Sequence, residues 1–197
     1  MTTILQISMD KYISQKDLDK VYRKEIKENG KAGFEHMLDM KSLHHGKKHS
    51  PRHIFLCHAH VDKLIVDKVY AFFKTLNTEL YIDWMDHSIP EITNVVTALS
   101  IKKKIDECNK FIFLATARAL RSRWCNWELG LAYSRNGLEL AILPIETWTG
   151  NWSGNEYLHL YPVIERTGPI DSLSLDDLKI RSPTNQLTDF GDWLNIL

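Results

Sequence analysis

Two side chains four residues apart, Trp124 and Glu128, lie in the run Ser122–Leu129 (SRWCNWEL). At that spacing they share one face of a helix. An indole beside a carboxylate has two chemical uses. It stacks on a flat heterocycle, and it desolvates the acid so that its charge acts strongly on a developing cation. The same spacing also fits an ordinary amphipathic helix, with Trp124 half-buried and Glu128 exposed near a favourable helix N-terminus. Two other short stretches are rich in reactive side chains: Cys57–Asp62 with His58 and His60, and Asp83–Pro90 with Asp83, Trp84, Asp86 and His87. A third, Thr116–Arg123, leads into the Trp124/Glu128 run.

Competing chemistries fare less well. His44, His45, His49 and His53, followed by Cys57, His58 and His60, invite a metal, yet their spacing fits no known ligand pattern, so no metal site is expected. Cys125 has no positioned base in the sequence and reads as a small hydrophobe. Lys102–Lys104 reads as the wet face of a helix. GxGxxG and GxxxxGK[ST] runs are absent, which leaves classical dinucleotide binding and phosphoryl transfer without support.

The elements that must position these residues alternate along the chain. Ile54–Cys57, Leu80–Asp83, Lys110–Ala115 and Glu139–Ile145 are short apolar runs with the length of buried strands. Between them, Asp62–Leu76, Glu91–Ile105 (opened by Pro90) and Ser122–Ser134 carry apolar residues at helical spacing. Four β-α units in series predict an α/β fold, a central parallel sheet with helices on both faces. In such a sheet ligands bind outside the carboxyl ends of the strands, where strand order reverses. That rule selects the three reactive loops. After Glu146 the pattern predicts loop, a short edge strand within Leu158–Ile164, and an amphipathic helix over Thr184–Leu197. Before the first strand, Ser14–Asp39 has helical period interrupted at Asn29-Gly30 and Gly33, and Lys41–Arg52 has linker character. The organisation expected is therefore an N-terminal helical extension and linker over residues 1–50 and a main domain over 51–197.

Composition narrows the partners. The 197 residues hold 25 Lys+Arg and 25 Asp+Glu, without the basic excess a nucleic-acid binder uses to neutralise phosphates. The charge is uneven, with ten Lys/Arg against seven Asp/Glu in the first fifty residues. Met1–Asp10 lacks the features of a signal peptide, and the longest apolar runs fall far short of the roughly 20 residues that cross a bilayer. Three cysteines, an odd number without CxxC spacing, predict free thiols and a cytoplasmic setting.

The runs Ile54–Asp62 (IFLCHAHVD), Leu80–Asp83 (LYID), Phe111–Leu114 (FIFL) and Ser122–Leu129 (SRWCNWEL), in this order and spacing, resemble the boxes of the Toll/interleukin-1 receptor (TIR) domain family in its bacterial branch. The resemblance covers about residues 53–145 and implies a flavodoxin-like fold. It also implies an activity, since many bacterial and plant members break the nicotinamide–ribose bond of NAD with the glutamate that matches Glu128. On that basis Glu128 is the expected catalytic residue. Trp124 would line the ribose or nicotinamide side, His58, Ala59 and His60 would border the substrate, Asp83 matches a family acid near the site, and Trp84 would cover an aromatic ring. NAD is then a substrate and no cofactor is expected.

A single carboxylate suits this reaction. Departure of neutral nicotinamide leaves an oxocarbenium-like ribose, which a nearby anion stabilises more in the transition state than in the ground state. A second acid to protonate an alkoxide leaving group, as in ordinary glycosidases, is not needed. Capture by water gives ADP-ribose, and capture within the molecule gives a cyclic product. The chain departs from the family where Ser88-Ile89-Pro90-Glu91 replaces a frequent Pro-Gly, and where Cys57-His58 stands for serine and an aromatic. By resemblance to small bacterial members, the expected setting is Thoeris-like anti-phage defence: a phage trigger, a nucleotide signal, a separate effector, and self-association or assembly with other TIR domains. The N-terminal segment would regulate. The alternative is a non-catalytic TIR adaptor.

Overall fold

The computed structural model describes residues 11–35, 54–86, 94–146, 156–170 and 173–195. Strands β1 (Ile13–Ser14), β2 (Ile54–Cys57), β3 (Leu80–Tyr81), β4 (Lys110–Ala115), β5 (Glu139–Glu146), β6 (Val163–Arg166), β7 (Leu178–Arg181) and β8 (Leu187–Asp189) form one sheet. The helices are α1 (Gln15–Asn29), α2 (Lys63–Thr75), α3 (Val95–Glu107), α4 (Ala117–Arg121), α5 (Arg123–Ser134) and α6 (Phe190–Asn195). The sheet order is β3-β2-β4-β5-β6-β7-β8, and β2, β3, β4 and β5 run parallel. From β2 the chain crosses to β3 on one side and then to β4 on the other. The order therefore reverses between β2 and β4, the flavodoxin-like pattern with its crevice at their carboxyl ends.

The central strands are apolar without interruption because both faces are covered. Alternation sends Phe55, Cys57, Phe111 and Phe113 toward Ile101 and Ile105 of α3 and Leu129 and Ala132 of α5. It sends Ile54, Leu56, Ile112 and Leu114 toward Val66, Val69 and Phe73 of α2. The parallel register stacks Phe55 against both Tyr81 and Phe111, each with ring centroids 5.5 Å apart.

Residues 11–35 share this core. Strand β1 pairs in parallel with the end of β5, Ile13 against Ile145, and Arg166 N–H donates to Lys11 O at 2.9 Å. Ser14 and Asp17 then close a reciprocal capping box that starts α1. Helix α1 lies on α2, tied by Asp19 to Lys68 and Glu25 to Lys74. Gly30, at φ 73°, ends α1, and a helical stretch over residues 31–35 brings Phe34 to 1% exposure, its ring 5.2 Å from Tyr22 and 6.4 Å from Tyr70. Gly30 makes the break expected here and Gly33 does not. The expected linker, Lys41–Arg52, lies outside the described residues.

The C-terminal region departs from expectation. The short strand expected within Leu158–Ile164 forms slightly later, as β6, and lies inside the sheet between β5 and β7 rather than at its edge. The rest of the segment, read as loop and helix, holds a 3-10 turn at Glu156–Leu160 and two antiparallel strands. In β7, Leu178 and Ile180 face inward while Lys179 and Arg181 face out, a period of two too short to stand out in sequence. Asn185, at φ 65°, turns the chain from β7 into β8. Helix α6 begins only at Phe190, which buries with Trp193.

Helix α3 starts at Val95, with the Asn94 side chain accepting from Thr97 N–H at 3.0 Å. Residues 87–93, including Pro90, lie outside the described residues. Ile101 and Ile105 of α3 are buried, but Val95, Val96 and Leu99 are 75%, 59% and 61% exposed. No helix among the described residues is long and apolar enough to cross a membrane.

Candidate active site

At the carboxyl ends of β2 and β4, the two flanking loops are stapled together. Asp62, 2% exposed, accepts from the Thr116 hydroxyl and from Arg118 Nη1 at 3.1 Å, and Arg118 also donates to Val61 O at 3.3 Å. Thr116 Oγ1 in turn accepts from Ala119 N–H at 3.0 Å and caps α4. The pairing spans 54 residues, and nothing in the local sequence announces it.

Helix α5 enters on the α3 side of the sheet. Ser122 caps it, Oγ accepting from Cys125 N–H at 3.2 Å, and Asn126 Nδ2 donates to Leu120 O and Ser122 O, joining α5 to α4. The Tyr157 hydroxyl donates to Asn126 Oδ1 and fixes the helix from outside. This entry angle turns Cys125, Glu128, Leu129 and Ala132 inward. Glu128 is 3% exposed, so the surface carboxylate of the ordinary amphipathic reading is not what forms.

Glu128 has no cation among the groups acting on it most strongly. The Trp124 indole and the Cys57 thiol hydrogen-bond to it, and Asp83 and Cys125 lie within electrostatic reach. Burial, then the Asp83 carboxylate, then Cys125 hold its carboxyl well above the ordinary carboxylate range, against the two hydrogen bonds. Cys57 Sγ lies 3.7 Å from Cys125 O, and burial pushes the Cys57 thiol up. A hydrogen bond from Cys57 draws the Cys125 thiol down, but at 1% exposure it offers no surface for a substrate to meet. All three cysteines are free and buried.

His58, Asp83, Trp124 and Glu128 are thus brought together. The His58 ring is buried, Nδ1 2.8 Å from Leu56 O and Nε2 3.3 Å from Asp83 Oδ1. Asp83 Oδ1 also accepts from Trp84 N–H at 2.8 Å. Ala59, 5% exposed, precedes the 3-10 turn His60–Asp62, and His60 is exposed at the rim. Trp84 is not brought to Glu128. It packs on the α2 side of the sheet with Lys63 Nζ 4.6 Å from its ring centroid. Sequence reasoning gives Cys57 no part in the Glu128 site and does not see Asn126, Asp62 or Arg118 as fixing the mouth. Trp127, 40% exposed, stacks obliquely on Trp124 at 5.0 Å.

A groove of about 380 Å³ lined by Lys20, Val21, Phe72 and Ile170 belongs to the α1–α2 layer and includes none of these residues. Among the described residues no three His, Cys, Asp or Glu side chains are grouped to hold a metal, and His44, His45, His49 and His53 lie outside them.

Because the folded protein holds the Glu128 proton above its ordinary value of 4.5, the folded state binds more protons than the unfolded one at higher pH. Stability therefore falls as pH rises from about 4.5 toward the folded value. A Glu128→Gln variant lacks this penalty. In urea unfolding at several pH values, its stability relative to wild type is expected to increase from pH 5 to pH 8; a difference that stays flat contradicts the assignment.

The family model described as TIR domain matches residues 54–161, more than half the chain. The chain belongs to the TIR domain family. The match takes in strands β2 to β5 and every loop that builds the Glu128 site, and leaves β1, α1 and the antiparallel edge outside. This TIR chain is 27% identical over 145 residues to a Bacillus cereus (strain MSX-D12) protein named "Probable 3' cyclic ADP-D-ribose synthase ThsB'", covering 72% of the chain and 74% of the relative. It is 29% identical over 85 residues to TIR2 of Cytobacillus dafuensis, which is named provisionally as a cyclic ADP-D-ribose synthase. That second alignment covers 42% of the chain and 22% of the relative.

Proposed function

We propose that this TIR chain breaks the nicotinamide–ribose bond of NAD⁺ and joins the ADP-ribosyl carbon to a nucleophile in the same molecule, giving a cyclic ADP-ribose. The observation that carries the reading is Glu128, a carboxyl buried at 3% exposure and hydrogen-bonded by Trp124, at the crevice of a chain whose relatives are named cyclic ADP-ribose synthases. The bond from the ribose carbon to the pyridinium nitrogen breaks with its electron pair going to nitrogen, so nicotinamide leaves neutral. Positive charge then spreads over the ribose carbon and ring oxygen.

Glu128, ionised, faces that charge in a site with little water, where its field is strong. The pyridinium of bound NAD⁺ brings a cation to Glu128, which has none among the described groups acting on it most strongly, so substrate binding favours loss of the Glu128 proton. Trp124 fixes the carboxylate and offers an aromatic face beside it. Ala59 and His60 border the substrate, with His58 and Asp83 beneath. An attacking group of the same molecule forms the new bond and releases its proton, whereas water at that carbon would yield ADP-ribose.

The free cysteines support a reducing, cytoplasmic setting. The exposed Val95, Val96 and Leu99 of α3 support assembly with other TIR domains. In this reading the product signals to a separate effector after a phage trigger. Mass spectrometry of NAD⁺ incubations, with purified protein at high concentration and with extracts of infected cells, tests it. Nicotinamide together with an ADP-ribose species lighter by one water upholds the cyclase. ADP-ribose alone makes the chain a hydrolase, and wild type indistinguishable from Glu128→Gln in both settings makes it an adaptor.

A further inference from the structure

His58 follows directly on β2, and its side chain is 2% exposed. Its Nδ1 is 2.8 Å from Leu56 O, and a carbonyl oxygen only accepts, so Nδ1 carries a hydrogen. Nε2 then faces Asp83 Oδ1 at 3.3 Å, close enough for an ion pair but out of line for a hydrogen bond. A neutral ring would turn the Nε2 lone pair toward a carboxylate in a buried site, which is repulsive. A second hydrogen on Nε2 converts the contact to cation against anion.

Asp83 is also the negative charge that acts on Glu128. The other groups acting most strongly on Glu128 are Cys57 from β2, Cys125 on its own helix and the Trp124 indole, and none of these is a cation. Around Asp83 stand His58, Cys125, the Tyr81 hydroxyl and the Trp84 N–H. Lys63 is engaged over the Trp84 ring on the other side of the sheet. Among the described residues, His58 is therefore the side chain placed to offset Asp83.

We propose that His58 is a positioning residue: as an imidazolium clamped between Leu56 O and Asp83, it cancels the Asp83 charge beside Glu128 and lets Glu128 ionise when a pyridinium-bearing substrate binds. The proposal rests on the reading of Glu128 as the reacting carboxylate, and it differs from a direct substrate contact by His58. A contact would set KM; charge balance sets the pH at which the site switches on.

The test compares the pH profiles of kcat and KM for nicotinamide release in His58→Gln, Asp83→Asn and the double variant. It adds a ¹³C titration of the Glu128 carboxyl in the substrate-free proteins. His58→Gln is expected to move the acid limb of kcat and the carboxyl titration to higher pH by about one unit or more, the effect of an uncompensated neighbouring charge. Asp83→Asn moves both the other way, and the double variant returns toward wild type. A raised KM with the limb and titration unmoved in His58→Gln overturns the proposal. If wild type releases no nicotinamide, the activity reading fails while the carboxyl titration still decides the role of His58. If His58→Gln does not fold, long-range ¹H–¹⁵N spectra of wild type at pH 7 decide: both ring nitrogens protonated supports the proposal, and a bare Nε2 overturns it.

Discussion

Replacing Glu128 by Gln is expected to lower kcat for nicotinamide release by about 10²–10³-fold or more, the cost of removing one preorganised electrostatic partner from a transition state. Shape and burial are nearly preserved, since the amide occupies the volume of the carboxyl between Trp124, Cys57 and Asp83. What disappears is the ionisable group. The loss should fall on kcat, because the charge that Glu128 opposes is greatest in the transition state. Folding of the variant is checked by its unfolding midpoint, which should match or exceed that of wild type at pH 7. A loss of less than tenfold in a folded variant would remove Glu128 from the chemistry and return weight to the adaptor reading.

Phe34→Ala should cost about 3–5 kcal/mol of stability, the range for truncating a fully buried aromatic. Phe34 is 1% exposed and sits against Tyr22 of α1 and Tyr70 of α2, so the truncation opens a cavity at the joint between the extension and the domain. In a chain of this length that loss lowers Tm by roughly 2–4 °C per kcal/mol. Urea unfolding followed by near-UV circular dichroism measures it. A cost below about 1 kcal/mol would mean that residues 11–35 contribute little to the core and would revive a purely regulatory role. The expected result makes the segment structural: removing residues 1–50 strips Leu18 and Phe34 from the core and β1 from the end of β5.

What sequence alone determined is the part governed by local periodicity. The apolar runs at 54–57, 110–115 and 139–145 have the length and continuity of strands covered on both faces, and the helices between them favour parallel order and a crevice at the carboxyl ends. The boxes within those elements named the family and singled out Glu128, Trp124, Asp83 and His58, which the fold brings together. Parts with weak period are less legible for the same reason. Strand β7 is four residues long, and the apolar positions of α3 divide between core and solvent because only its Ile101 and Ile105 side reaches the sheet.

Tertiary structure alone decided the state of the site. A carboxylate four residues from an indole is equally compatible with water and with burial. Which occurs depends on the angle at which α5 meets the sheet, set by Ser122, Asn126 and Tyr157, residues up to 35 positions apart. The Asp62 staple to Thr116 and Arg118, the Cys57 contact and the His58–Asp83 pair are likewise meetings of distant segments. Trp84, adjacent to Asp83 in sequence, falls on the opposite face. Charge and desolvation depend on distances between such segments, and those distances exist only once the chain has folded.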